Sequence, residues 1–246
     1  NVLYASTHDD QETVANMISH YGIIALPIVD KEKRLVGLVT VDDALEVIET
    51  ETTEDIEKMA AMLPSDKPYL KTTVWETWKQ RVPWLLLLML TATFTSTIIT
   101  QYEAAIGTYA ILTAFFPMLM GTGGNAGSQV STLIIRGLAV GEIEIKDYFK
   151  IVLKELRVAT VCGLVLGAAN IVRMYFFSEG TIEVFLVVSL AMFIAIVVAK
   201  LIGCSLPIFA KIIKLDPALM AGPMIATLVD IVTLVIYFAL AKAFLI

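Results

Sequence analysis

One acid stands alone in the last apolar stretch of the chain, residues 218–246: Asp230. An aspartate at the centre of a bilayer costs roughly 2.5–3.5 kcal/mol by insertion scales, and such residues ordinarily face a cavity or a partner. Helical spacing lines up Pro223, Ala226, Thr227, Asp230 and Thr233 on one side. Pro223 lacks an amide donor and is expected to free a carbonyl about one turn back. Carboxylate, hydroxyls and loosened backbone are all oxygen, the donor set of a hard cation. The alternative is an ion pair that holds the helices together, with Arg173, Lys200 and Lys242 as the available cations, each near the end of its stretch.

A second cluster is MGTGGNAGSQ, residues 120–129, where four glycines, Asn125 and Gln129 interrupt an apolar run. Gly123 and Gly127 have the small-xxx-small spacing that lets helices approach, and so do Gly163 and Gly167, where packing is explanation enough. Packing does not require Asn125 or Gln129, which lie four apart on one helical face. Irregular backbone at membrane depth is tolerated only when buried in protein or lining water. The stretch is therefore expected to line a wet path, with its amides and carbonyls facing it.

The ligand types narrow the ion. Both histidines, His8 and His20, fall in the first 81 residues, and Cys162 and Cys204 have no partner ligand at useful spacing. Zinc, copper and iron are disfavoured, and Mg²⁺, which sheds water reluctantly, suits a wide polar path. One carboxylate is little charge for a divalent ion. Two copies about a two-fold axis would supply two, so a homodimer is expected. No acid–base pair at depth supports an enzyme.

These residues need elements to hold them. The chain has 246 residues, is 57% hydrophobic and has a mean hydropathy of +0.78, above the usual apolar share of a soluble domain. The excess lies after residue 81. Five spans are expected, at 82–100, 107–138, 152–177, 182–207 and 218–246, each near the length a bilayer requires. Lysines and arginines concentrate on one side: Lys67, Lys71, Lys79 and Arg81 before the first span, Lys146, Lys150 and Lys154 between the second and third with Arg136 and Arg157 flanking them, and Lys211 and Lys214 between the fourth and fifth. Lys200 is expected to snorkel toward that side, and the opposite side has only Arg173 and Lys242. This asymmetry puts the N-terminus in the cytoplasm and the C-terminus outside a cell membrane. The net charge of −6 with scattered basic residues excludes a nucleic-acid footprint. The cysteines read as small buried hydrophobes.

The first 50 residues read as a helix near 12–19, strands at 25–30 and 35–40 around KEKR, and a helix from Asp42 capped by Thr40. That order, with GLVTVDD at 37–43, resembles the second half of a CBS-domain pair. In some members of that family the hydroxyl and acid hold an adenosine ribose, which would assign Thr40 and Asp43 to ATP. The chain opens inside this domain without Met, so a longer protein is expected. Eight carboxylates follow between Asp42 and Glu57, with no lysine or arginine among them. Asp42, Glu46 and Glu49 are like-charge neighbours on a helix, each pair destabilising by about 0.2–0.5 kcal/mol. They read either as a solvated face or as a site where a divalent cation relieves the repulsion.

Taken together the residues resemble the MgtE family of magnesium channels and transporters. The stretches that carry the resemblance are TTEDI at 52–56, PMLMGTGGNAGSQVSTLIIRGLA at 117–139, LKE at 153–155, LDPA at 215–218 and GPMIATLVDIV at 222–232. The resemblance implies a mostly α membrane protein: a partial second CBS domain at 1–50, a connecting "plug" helix at 51–81 (roughly 52–80) and five membrane helices at 82–246, in a homodimer. An N-terminal domain and a first CBS half would precede residue 1. It implies that Asp230 is the pore aspartate for hydrated magnesium, with Asn125, Gly121 and Ala226 lining the pore. Asp43, Glu46, Glu51, Glu54, Asp55 and Asp216 would form the regulatory magnesium sites, with Asp216 facing the plug. Glu142 and Glu155 lie on the same side. Gly222 departs from the pattern, since some members have a polar residue there. The implied mechanism is feedback, in which high cytosolic magnesium bridges the acids and closes the pore. The competing readings are a broader channel that also passes manganese, cobalt or calcium, and a nucleotide sensor anchored by its helices.

Overall fold

The computed structural model describes residues 2–65, 67–102 and 110–245. The chain divides into two compact units. One comprises Asn1–Glu57 with Pro64–Thr72, and the other Lys58–Leu63 with Thr73–Ile246.

The first unit is a small α/β domain. Strand β1 (Ala5–Ser6) runs parallel to β2 (Ala25–Val29), which pairs antiparallel with β3 (Leu35–Thr40) in the order β1-β2-β3. β1, too short to carry a sequence pattern, was not anticipated. It pairs only with Ile28 and Val29, so Pro27, which has no amide donor, sits beyond its reach in the middle strand. Helix α1 (Gln11–Tyr21) starts at Asp10, whose carboxylate accepts from the Thr13 amide, and stops at Gly22 in the left-handed conformation. Val14, Ala15 and Ile18 of α1 pack on Ala5, Leu26 and Ala44 to form the core. Helix α2 runs from Val41 to Met59.

The second unit is helical: α3 (Val74–Gln101), α4 (Phe116–Ala139), α5 (Tyr148–Phe177), α6 (Ile182–Ile212) and α7 (Gly222–Phe244). A 3₁₀ turn at Ala110–Phe115 precedes α4 and another at Pro217–Met220 precedes α7. Residues 107–109 of the expected second span lie outside the described residues, as does residue 246 of the fifth. Among the described residues three helical stretches are long and apolar enough to cross a bilayer: Val74–Gln101, Ile182–Ile212 and Pro217–Phe244. α4 and α5 have the length, but glycines and amides dilute the first, and the second opens with a charged segment.

The helix expected over 51–81 is corrected. Its first part belongs to α2, which ends at Met59, and its last part to α3, which begins at Val74. Between them Ala61 takes a positive φ of 55°, the conformation that ends helices, and Pro64 and Pro68 remove amide donors. The start of α3 is fixed by a capping box, Thr73 with Glu76. α3 then passes through Pro83 with no buried residue along its length.

α4, α6 and α7 form the centre. Leu119, Ala126, Ile196, Ala199, Ile225, Val229 and Tyr237 belong to one buried cluster. Tyr237 donates to the Leu112 carbonyl at 3.0 Å, which satisfies its buried hydroxyl.

Candidate cation site

The glycine-rich stretch does not break its helix. α4 is continuous from Phe116 to Ala139, and Gly123, Gly124 and Gly127 serve contact. A Cβ on Gly123 would come 3.0 Å from both Thr233 Oγ1 and Val229 Cγ1, and one on Gly127 would come 2.8 Å from Ile225 Cγ2. A Cβ on Gly203 of α6 would strike the Gly127 carbonyl oxygen. The expectation that this backbone exposes its carbonyls to a wet path is corrected for these positions: the small-xxx-small spacing brings α6 and α7 onto α4. Gly163 and Gly167 work likewise on α5, against Phe193 and the Ser189 carbonyl.

The other face of α4 is different. Gly121, Asn125, Gln129 and Thr132 are exposed and Ser128 is half-buried. Offsets of three, four, seven and eight put them on one side of the helix. The side chains of Asn125 and Gln129 make no hydrogen bond among the described residues, and nothing lies within 4 Å of a Cβ placed on Gly121. Ser128 and Thr132 were missed in the sequence, although the helical period starting from Asn125 reaches both.

Asp230 is half-buried on α7 at the edge of this face. A Cβ on Gly124 would lie 3.4 Å from Ala226 Cβ and 3.9 Å from Asp230 Oδ1, so Ala226 packs on α4 while the carboxylate stands beside it. No hydrogen bond or ion pair reaches Asp230 among the described residues. The cations named as its available partners are engaged elsewhere or show no bond to it among the described residues. Arg173 donates to Asn170 Oδ1 at 3.1 Å, and Lys200 lies 3.9 Å from Glu155 Oε2. Lys200 is therefore not a snorkelling residue; at 6% exposure it is buried between α5 and α6, where Glu155 compensates its charge.

Two other expectations about α7 change. Pro223 is the second residue of the helix, where its missing amide costs nothing, so it does not loosen the interior. Its carbonyl accepts from Thr227 Oγ1 at 2.9 Å. Thr233 is buried against Gly123. Of the five residues expected on the oxygen face, Asp230 keeps a free ligand group.

The acids of α2 are spread along the helix. Asp43 Oδ2 accepts from Thr40 Oγ1 at 2.6 Å and from the Thr40 amide at 2.8 Å, and the hydroxyl bond with this second one holds the Asp43 carboxyl below its ordinary value. GLVTVDD is thus a helix cap, whatever else it does. Glu51 accepts from Gln11 Nε2 at 2.7 Å, and Glu57 accepts from the Ser65 amide at 2.8 Å. Glu46 is exposed, while Glu54 and Asp55 are half-buried. A cleft of about 360 Å³ lies among Glu49, Glu54, Glu57, Ser65 and Lys67. Among the described residues no three His, Cys, Asp or Glu side chains come together as a metal-holding group. Asp216 is remote in sequence and pairs with Lys58 Nζ at 2.6 Å.

Against this geometry stand the comparisons with known proteins. The family model described as "MgtE: Divalent cation transporter" matches residues 116–240, which hold the α4 stripe and Asp230. The chain belongs to the MgtE family. A CBS-domain model matches residues 1–50, so the small α/β unit carries a CBS domain. The magnesium transporter MgtE of Thermus thermophilus is 39% identical over 244 residues, 99% of this chain and 54% of that protein. The proteins of the same name from Bacillus subtilis and Enterococcus faecalis are 34% and 32% identical, again over 99% of this chain and 53% of theirs. The chain spans about half the length of the curated relatives it matches. The MgtE match covers the unpaired acid and amides, and the CBS match covers the capped start of α2.

Proposed function

We propose that this chain carries the conducting part of a magnesium channel or transporter of the inner or plasma membrane, in which the Asp230 carboxylate meets a water-clad Mg²⁺. The observation that carries the reading is the half-buried Asp230, unpaired among the described residues, beside a helix face whose amides have no partner among them either. Bare amides and a bare carboxylate are costly in hydrocarbon and cheap beside water. A hydrated Mg²⁺ donates hydrogen bonds through its waters, so acceptors such as Asn125 Oδ1, Gln129 Oε1 and the Asp230 oxygens suit it without stripping its shell. The names of the three relatives, each called a magnesium transporter, point the same way.

In the proposed assembly two copies meet along the α4 stripe, which doubles the acid and covers the polar face. Five helices cross the bilayer, with the N-terminus cytoplasmic and the C-terminus outside. Gly121, Asn125 and Ala226 border the path, with Ala226 contributing shape rather than ligands. Closure by magnesium at Asp43, Glu46, Glu51, Glu54 and Asp55 is the second part of the proposal. It requires ligands from outside one chain's described residues, because these acids form no metal-holding group by themselves. A nucleotide at Thr40 and Asp43 draws less support, since each already satisfies the other.

The test is Mg²⁺ uptake into proteoliposomes by the wild type and by Asp230→Ala. Uptake should fall at least about tenfold, equivalent to about 1.4 kcal/mol of barrier. Undiminished uptake would move the path elsewhere. The description of the family as divalent cation transporters keeps a less selective channel as the second reading. Equal permeation of Ca²⁺ and Mg²⁺ in the same vesicles would select it.

A further inference from the structure

We infer that Lys58 is a tethered cation on Asp216, fastening residues 58–63 to the foot of α7 without any bound metal. Lys58 Nζ lies 2.6 Å from Asp216 Oδ2, with the two side chains only 19% and 32% exposed. The other oxygen, Oδ1, accepts from the Ala218 amide at 2.8 Å as the cap of the 3₁₀ turn. Both oxygens are thus engaged, and the carboxylate is held in the orientation the ammonium needs. A charge-assisted pair shielded in this way is stronger than one at an open surface.

Neighbouring contacts point to the same fastening. Met59 packs on Ile135, Ala218 and Ala221. Gly222 has a φ of +46°, and a Cβ there would come 2.6 Å from the Met59 carbonyl oxygen. Only glycine lets the backbone pass that close, which explains why this position lacks the polar side chain of some family members. The far end of the segment is tied by Leu63, whose amide donates to the Gln80 carbonyl at 3.0 Å, in the turn before Pro83 of α3. Ser131 Oγ donates to the Met220 carbonyl at 3.1 Å, binding the same foot to α4.

The family resemblance makes Asp216 an acid that works with magnesium. In this chain a lysine already stands at it, so a divalent ion there competes with the Lys58 ammonium. Residues 58–63 are held by an internal salt bridge, and release of that bridge becomes a step separate from loss of metal. That this foot is the entrance to the conduction path rests on the reading of Asp230 above; the pairing itself does not.

The test is hydrogen exchange of the amides at 58–63 in the full chain in nanodiscs, with Mg²⁺ and with the ion removed by chelator. Wild-type protection should be equal in both conditions. Lys58→Gln should accelerate exchange roughly ten- to a hundredfold, which is what a hydrogen bond to a charged group is typically worth. Lys58→Arg should retain protection, and the exchanged pair Lys58→Asp with Asp216→Lys should restore most of it. Loss of wild-type protection on chelation, or protection in Lys58→Gln equal to wild type, would overturn the inference. So would failure of both the arginine variant and the exchanged pair to protect. Mg²⁺ uptake by the same variants is measured in proteoliposomes, where Lys58→Gln should raise the initial rate. If Asp230→Asn transports normally, the conduction reading fails while the exchange result still decides the pairing.

Discussion

Helix α2 and helix α7 hold negative charge in opposite ways. α2 and the residues around it carry eight carboxylates between Asp42 and Glu57. Asp43 is bonded to Thr40, Glu51 to Gln11 and Glu57 to Ser65. α7 carries one acid, Asp230, half-buried and without a hydrogen bond or ion pair among the described residues. In water, like charges a turn apart cost a few tenths of a kcal/mol each, and salt screens them. At membrane depth one charge costs several times as much. The larger number of acids is thus the weaker signal, and the lone one marks the place where the fold leaves a cost uncompensated.

Asp230 of α7 stands beside α4, whose packed and open faces glycine distinguishes, and the variant expected to do most damage is Gly203→Val on α6. Any Cβ there meets the Gly127 carbonyl oxygen, and backbone cannot yield as a side chain can. A loss of about 3 kcal/mol, at the upper end for overpacking, is expected as a lowered melting temperature in detergent. Gly121→Ala is its control, because nothing lies within 4 Å of the added carbon. It should melt within about 0.5 kcal/mol of wild type and yet slow Mg²⁺ uptake. Equal destabilisation by both would erase the distinction between the packed and open faces of α4.

Gly222→Ala comes next. Its positive φ alone costs a side chain about 1–2 kcal/mol, before the approach to Met59 is counted. Melting should register that loss. A neutral result would mean that the foot of α7 relaxes freely.

The smallest effect belongs to α2. The folded-state pKa of Asp43 lies below its ordinary 3.8, chiefly through the Thr40 hydroxyl. The stabilisation is therefore complete above about pH 4 and fades as pH falls through the lower folded value. Asp43→Asn should remove that acid dependence from the CBS unit's unfolding and leave the neutral-pH stability slightly reduced. An unchanged acid limb would show that the cap contributes nothing through its charge.

What the sequence made legible was periodic or costly. The strands at 25–29 and 35–40 and helix α1 follow from alternation, helical spacing and the turn residues between them. Asp230 announced itself because an acid in an apolar run has few ways to exist. The two roles of MGTGGNAGSQ were harder, because small-xxx-small spacing and exposed amides share one helix and composition cannot say which face a neighbour takes. The division of 51–81 was legible in part, since Pro64 and Pro68 are breakers the sequence displays, while the turn at Ala61 depends on a conformation its side chain does not advertise. The pairing of Lys58 with Asp216 joins residues 158 positions apart, beyond any local pattern.

The central claim concerns the charge on Asp230, so the decisive variant changes charge and little else. Asp230→Asn keeps the shape of the side chain, and its melting temperature should match the wild type. In proteoliposomes with a Mg²⁺ gradient, its uptake should fall at least about tenfold. A folded Asp230→Asn that takes up Mg²⁺ at the wild-type rate would contradict the account.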